Sequence, residues 1–292
     1  MQNLHIPFDT QPAIGGAMLK ALLLPRKGFN AKTGLPPIKA SWLGAKANLD
    51  TLKEYQAVLG LTATDVLPVL YPHVLAGGMH MHMLSHPDFP IRLLGSVHLK
   101  NSIKQYKAIP TQTEMDIQSA IGEYRLTAKG LEFDFSTQIK VQDKIVWEEV
   151  STYFKGGKFG GKDQPSEQAS FELDSLNEPQ QVASWLVPKD RGKKYAKITG
   201  DYNPIHMSPL LAKLFGLKRD IAHGFGILAE AIEHADMNYR DKKCQVDVVF
   251  KGPVFLQSQV SLKQNTSQDK SRFDVFCGTN PKPSICGSVF EI

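Results

Sequence analysis

The chain has 292 residues, 42% hydrophobic and 22% charged, with 34 basic against 29 acidic side chains for a net charge of +5. That length and balance allow one large domain or two ordinary ones with a full core. The mild positive charge suits phosphorylated ligands. Without an Arg-rich or aromatic-interleaved basic run it gives no ground for a nucleic-acid partner.

Three cysteines, Cys244, Cys277 and Cys286, form no C-x-x-C pair and no metal spacing. An odd number points to a reducing compartment, with the thiols acting as small core hydrophobes. The early apolar run "AMLKALLLP" carries Lys20 and is too short to span a bilayer. The expectation is a soluble, cytoplasmic protein with no membrane insertion.

In chain order, residues 1–50 ("PRKGFNAKTGLPPIKASW" and its surroundings) read as an irregular arm with one short helix near Ala17–Leu24. Residues 51–155 turn helical, with "YPHVLAGGMHMHML" (71–84) long and apolar enough for a buried helix. They then alternate apolar and polar residues at period two, as antiparallel strands with one buried face do. Residues 156–180, opening "GGKFGGKDQPSEQAS", form a polar, Gly-rich linker. Residues 181–292 repeat the order, with the helical "GFGILAEAIEHADMN" (224–238) followed by four strand-like runs. One buried helix and then a run of strands, twice, predicts an internal duplication and an α+β fold.

Two motifs are set aside. Gly156, Gly161 and Lys162 have phosphate-loop spacing, but Asp163 replaces the Ser or Thr that would hold magnesium, and Pro165 spoils the helix that should follow. In "HMHMLSH", His82 and His86 stand four apart, a zinc-gripping interval on a helix. No H-E-x-x-H accompanies them, so His73, His80, His82 and His86 read as core histidines packed with methionine, and no metal is expected.

The chemistry is concentrated in "TGDYNPIHMSP" (199–209). Pro204 fixes its own φ and biases Asn203 toward extended backbone, so Asp201 and His206 are held on a stiff turn just outside a helix. Asn203 can tie its side chain into the turn. Ser208 is placed as an N-cap, Pro209 as the first helical residue and Gly216 as the stop. A carboxylate beside an imidazole is an acid–base couple for neutral pH. By spacing alone, a capping turn explains the pair equally well. Further on, "DIAHGFGILAEA" places His223 and Gly224 at the start of the long apolar helix, whose first N–H groups lack internal partners and can meet a developing oxyanion.

"ITGDYNPIHMSP" followed by "DIAHGFGILAEA" resembles the signature of the MaoC-like, or hydratase 2, family: G-D-x-N-P-[IL]-H, a helix, then an H-G segment. The resemblance covers residues 185–292 well and the first half only in architecture. It implies a double hot-dog, two curved antiparallel sheets each wrapped around a long helix and joined as a pseudo-dimer. It also implies (R)-specific syn hydration of trans-2-enoyl thioesters, or the reverse dehydration. Asp201 and His206 would activate water, Gly224 N–H would hold the thioester oxygen, and Asn203, Pro204 and His223 would shape the site. No cofactor is implied beyond the CoA or acyl-carrier phosphopantetheine of the substrate itself. Lys251, or the Lys189–Lys194 cluster, would meet its phosphates.

Aligning Gly78 with Gly224, an offset of 146 residues, gives Tyr55 and Gly60 as counterparts of the dyad, so the first copy lacks it. The expected arrangement is a degenerate half widening the acyl pocket, its helix beside the active one, within one continuous sheet. Two independent domains are the alternative. Exposed sheet edges would favour a homodimer. The rival functions are a hot-dog acyl-CoA thioesterase and a non-catalytic acyl-thioester-binding module.

Overall fold

The segment before residue 51 is not an irregular arm. In the computed structural model, which describes residues 4–23, 25–160, 172–235, 239–266 and 270–292, it holds β1 (His5–Phe8), helix α1 (Ile14–Leu23) and β2 (Lys39–Ala45). Short, Pro- and Gly-flanked strands carry too few alternating residues to show a period in sequence. Here β1 runs parallel to β2, and β2 pairs antiparallel with β4 (Met115–Leu126), so tertiary pairing makes them strands.

Helix α2 (Leu49–Leu59) begins at Asn48, whose side chain accepts from Thr51 N, and ends at Gly60 in the left-handed region with φ 66°. Helix α3 (Tyr71–Ser85) has Pro72 in its first turn and apolar residues on most of its circumference, which suits a helix enclosed on all sides. Strand β3 (Ser96–Gln105) is followed by β4 and then by the hairpin of β5 (Gly130–Val141) and β6 (Lys144–Gly156), which completes the first half. Of the anticipated linker, residues 161–171 lie outside the described residues, Gly161, Lys162 and Asp163 among them.

The second half repeats the plan. Strand β7 (Gln180–Leu186) precedes α4 (Arg191–Thr199), the short α5 (Pro204–Met207) and α6 (Pro209–Leu214), then α7 (Gly224–His234). Strands β8 (Cys244–Phe250), β9 (Gln259–Thr266), β10 (Lys270–Cys277) and β11 (Ile285–Glu291) follow. The eleven strands of the described residues form one sheet in the order β1-β2-β4-β5-β6-β3-β8-β11-β10-β9-β7. The halves meet at β3 and β8, whose antiparallel register sets Ser102 opposite Asp247 and bonds their side chains at 2.6 Å.

That order matches β3 to β8, β6 to β11, β5 to β10, β4 to β9 and β2 to β7 about a pseudo-dyad between β3 and β8, with β1 an extra strand at one edge. The duplication is therefore present, but its register is not a constant 146. Helices α2 and α4 both end in a left-handed glycine, Gly60 and Gly200, which sets Leu61 opposite Asp201. The long helices begin at Tyr71 and Gly224, so Gly78 does not match Gly224. One core cluster joins residues of both halves, including Tyr55, Met79, Phe133, Leu228 and Val275. Two separate domains sharing a chain would keep separate cores. The cysteines are free and buried, and no helix of the described residues is long and apolar enough to cross a membrane.

Candidate active site

The Asp201–His206 motif occupies the connection between α4 and α7. Gly200 ends α4 with φ 78°, a conformation that suits glycine, and turns the chain toward the cavity. The Asp201 carboxylate accepts from Asn203 N at 3.2 Å, and the Asn203 amide oxygen accepts from Ile205 N at 3.4 Å. Asn203 thus caps α5, a single helical turn whose first residue is Pro204. The turn expected outside any helix is in part a helix, because proline costs nothing at a position whose N–H has no partner. Ser208 caps α6 through Leu211 N at 3.2 Å and Pro209 opens that helix, as anticipated.

A close approach fixes the turn from below. A Cβ on Gly192 of α4 would stand 2.2 Å from the His206 carbonyl oxygen, so only glycine lets α4 lie this near α5. His206 is buried, and its Nδ1–H donates to Ile221 O at 2.9 Å, which leaves Nε2 as the basic nitrogen of the neutral ring. Burial lowers its pKa, opposed by the Asp201 charge and the bond to Ile221. His223 stacks on His206 with centroids 3.7 Å apart and donates Nε2–H to Asp201 O at 3.0 Å. Burial first, and His206 second, push His223 down to about 3. Two neutral imidazoles therefore face one carboxylate. One atom from each of Asp201, His206 and His223 lies within 4.8 Å of the other two. A water at ordinary hydrogen-bond distance can bridge a carboxylate oxygen and an imidazole nitrogen across such a gap.

These groups open on a cavity of about 570 Å³, shared by Asp201, Asn203, His206, His223, Gly224 and Lys251. His223, the N-cap of α7, makes no side-chain capping bond, so the cap leaves the first N–H groups of α7 unclaimed. A Cβ on Gly224 would meet the Phe250 ring at 2.8 Å. Of the expected phosphate contacts, Lys251 borders the cavity beside Gly252 and Pro253. Lys194 is instead paired with Asp190 at 2.7 Å, and Arg191 with buried Glu230. Pro204 acts through the backbone of α5.

The first half supplies walls that leave no local signal in the sequence. A bulge in β3 between His98 and Lys100 turns His98 against Tyr153, at 4.7 Å between ring centroids, and against Phe225, at 5.2 Å. His73, in the first turn of α3, stacks on Phe225 at 3.9 Å, so the two long helices adjoin at their starts. His73 and His80 converge on buried Glu149, a grouping invisible in sequence because Glu149 comes from β6. Glu149 is bonded by His73 Nδ1 at 2.9 Å and by Asn101 Nδ2 at 3.1 Å, while His80 Nε2 bonds Thr137 Oγ1 at 2.8 Å. His82, the partner in the anticipated i, i+4 pair, donates to Ala13 O at 3.1 Å, and His86 lies beyond the helix as its C-cap.

Comparison with known proteins matches residues 174–286 to the MaoC-like domain family. The 3-hydroxyacyl-thioester dehydratase X of Mycobacterium tuberculosis is 29% identical over 210 residues, 71% of this chain and 73% of that protein. Among solved structures, HtdX of Mycobacterium tuberculosis superposes with a TM-score of 0.75 at 23% identity, covering 87% of this chain and 100% of the other. A MaoC-like dehydratase from Phytophthora capsici gives 0.76 at 18% identity, covering 90% and 98%. The last two share the fold.

Proposed function

The chain belongs, through residues 174–286, to the MaoC-like family of hydro-lyases, and from that premise we propose that it adds water to trans-2-enoyl thioesters, or removes it from (R)-3-hydroxyacyl thioesters, at the Asp201–His206 pair. The observation that carries this reading is the pairing of a carboxylate with a buried neutral imidazole whose Nε2 is left basic, beside uncapped helix N–H groups in one cavity.

In the forward direction a water sits between the Asp201 carboxylate and His206 Nε2. One of the two takes a proton as the water oxygen bonds to C3. The electron pair of the C2–C3 bond moves toward the carbonyl, and the thioester oxygen gains negative charge that Gly224 N–H stabilises by roughly 3–4 kcal/mol. The proton then passes to C2 from the same face, so hydroxyl and hydrogen come from one water and add syn. His223 holds the turn in register by bonding Asp201 O while stacking on His206. Lys251 at the cavity border would meet the phosphates of CoA or of a carrier phosphopantetheine.

The test follows the enoyl-thioester absorbance of crotonyl-CoA and longer trans-2-enoyl-CoAs. Wild type is expected to hydrate them to (R)-products. Asp201→Asn and His206→Asn are expected to lose about 10²–10⁴-fold in kcat/KM. Release of free thiol from saturated acyl-CoA without hydration would establish a thioesterase instead. Binding without either reaction would leave a carrier of acyl thioesters.

A further inference from the structure

Residues 9–23, with Arg26 beyond them, form a strap across the molecule. Upstream, β1 pairs with the sheet edge, and His5 Nε2 meets Ser41 Oγ at 2.8 Å. Just before α1, Ala13 O accepts from His82 on α3. Downstream, the Arg26 guanidinium donates to Leu84 O at 3.0 Å, His86 O at 2.6 Å and Phe89 O at 3.3 Å, at the carbonyl end of α3. A cation there satisfies acceptors the helix leaves open. Both ends of the strap are thus fastened, and α1 is held against α3.

The seat is cut from glycine. A Cβ on Gly78 would stand 2.1 Å from Pro12 O, and one on Gly200 would stand 3.1 Å from Ile14 Cβ. Ile14 therefore wedges between α3 and the residue that precedes Asp201. Ile14 and Met18 line the cavity with the apolar Val74, Gly77, Met81 and Leu84 of α3, whose only polar contributions there are the rings of His73 and His80, whereas Lys251 joins the lining with Gly252 and Pro253. Phosphates suit the charged wall and a hydrocarbon tail suits the apolar one.

We propose that Ile14 and Met18 form the end wall of the acyl subsite and set the length of tail the enzyme accepts. This rests on the hydration reading above. A tail leaving C3 and running along α3 meets α1, and the fastened ends keep α1 from yielding. Removing or adding side-chain volume at this wall changes which tail fits, at about tenfold or more per misfitted methylene.

The experiment compares kcat/KM for trans-2-decenoyl-CoA and crotonyl-CoA in the full chain. The decenoyl-to-crotonyl ratio is expected to rise about tenfold in Met18→Ala and to fall about tenfold in Met18→Trp. Ile14→Ala and Ile14→Phe give the same two readings if a Met18 variant fails to fold, as judged by thermal melting. Active variants whose ratios stay within threefold of wild type, or move in the reverse sense, overturn the proposal and leave the hydration reading standing. A wild type that hydrates neither substrate overturns both.

Discussion

The two halves share strand order, a short helix ending in a left-handed glycine, and a long central helix, yet only the second carries the Asp201–His206 pair. The difference lies in one connection. Between α2 and α3 run eleven residues, 60–70, whereas between α4 and α7 run 24, 200–223. The longer connection holds Asp201, the one-turn helix with His206, and α6. At the corresponding place in the first half, Leu61, Thr62 and Leu70 border a cavity of about 190 Å³, one third the size. Thr62 Oγ1 donates to Glu233 at 2.6 Å there, and Glu233 pairs with Arg240. A hot-dog frame is thus generic. An active site requires the insertion and the means of holding it.

A second contrast concerns the central helices. Glu230, the seventh residue of α7, is buried, pairs with Arg191 of α4, and accepts from Trp185 Nε1 at 3.1 Å. Its counterpart, the seventh residue of α3, is Gly77, which receives Ile14 of the strap. The half with the Asp201–His206 pair is bolted where the other half is opened to α1.

The largest effect expected from disturbing this contrast follows from breaking the bolt. Glu230→Ala leaves the Arg191 charge without its partner and should cost about 3–5 kcal/mol, read by denaturant unfolding. Gly77→Ala, at the matching position, should raise stability by up to about 1 kcal/mol. Its new Cβ finds ordinary contact with Ile14 at 3.6 Å, and a helix-interior glycine is removed. Loss of stability in both variants would refute the contrast.

Acid tests the halves together. Burial pushes His80 to about 4 and His98 to about 3 in the first half, and His223 to about 3 in the second. The unfolded chain takes protons near pH 6.5 that the folded chain refuses, so it binds more protons throughout the window from about 6.5 down to 3. Stability should fall as pH is lowered through that window. Melting temperature against pH measures it, and the slope should be shallower in His80→Gln. A flat profile between pH 7 and 4 would show that these rings are not held neutral. For the same reason His206 should stay neutral, and the acid limb of kcat/KM should lie below pH 6.5.

A smaller effect is expected at Gly192. Alanine there forces its Cβ toward the His206 carbonyl. We expect a loss of about 1–3 kcal/mol, with kcat reduced more than binding because the turn carrying His206 shifts. Aligned on the helix-ending glycines, the first half has buried Leu52 at this position, since no catalytic turn passes over α2. Leu52→Ala should therefore lower stability through a cavity without changing kcat per folded molecule.

Most of the candidate site was legible in the sequence because it is local. Asp201, Asn203, Pro204, His206 and Ser208 stand within eight residues, and their capping and proline chemistry depends on neighbours along the chain. The helix start at Gly224 was legible for the same reason, and the strands β3–β6 and β8–β11 because period two is a property of the chain itself. The strands β1 and β2 were not, since each is short and becomes a strand only through its partner. The register between halves needed coordinates, because unequal connections break any constant offset. The Glu149 cluster, the His98–Tyr153 wall and the strap across α3 join residues far apart in sequence, Ile14 and Gly200 among them. Local pattern determined which groups could do chemistry. Long-range packing alone decided what stands opposite them, because contacts between distant segments leave no period in the chain.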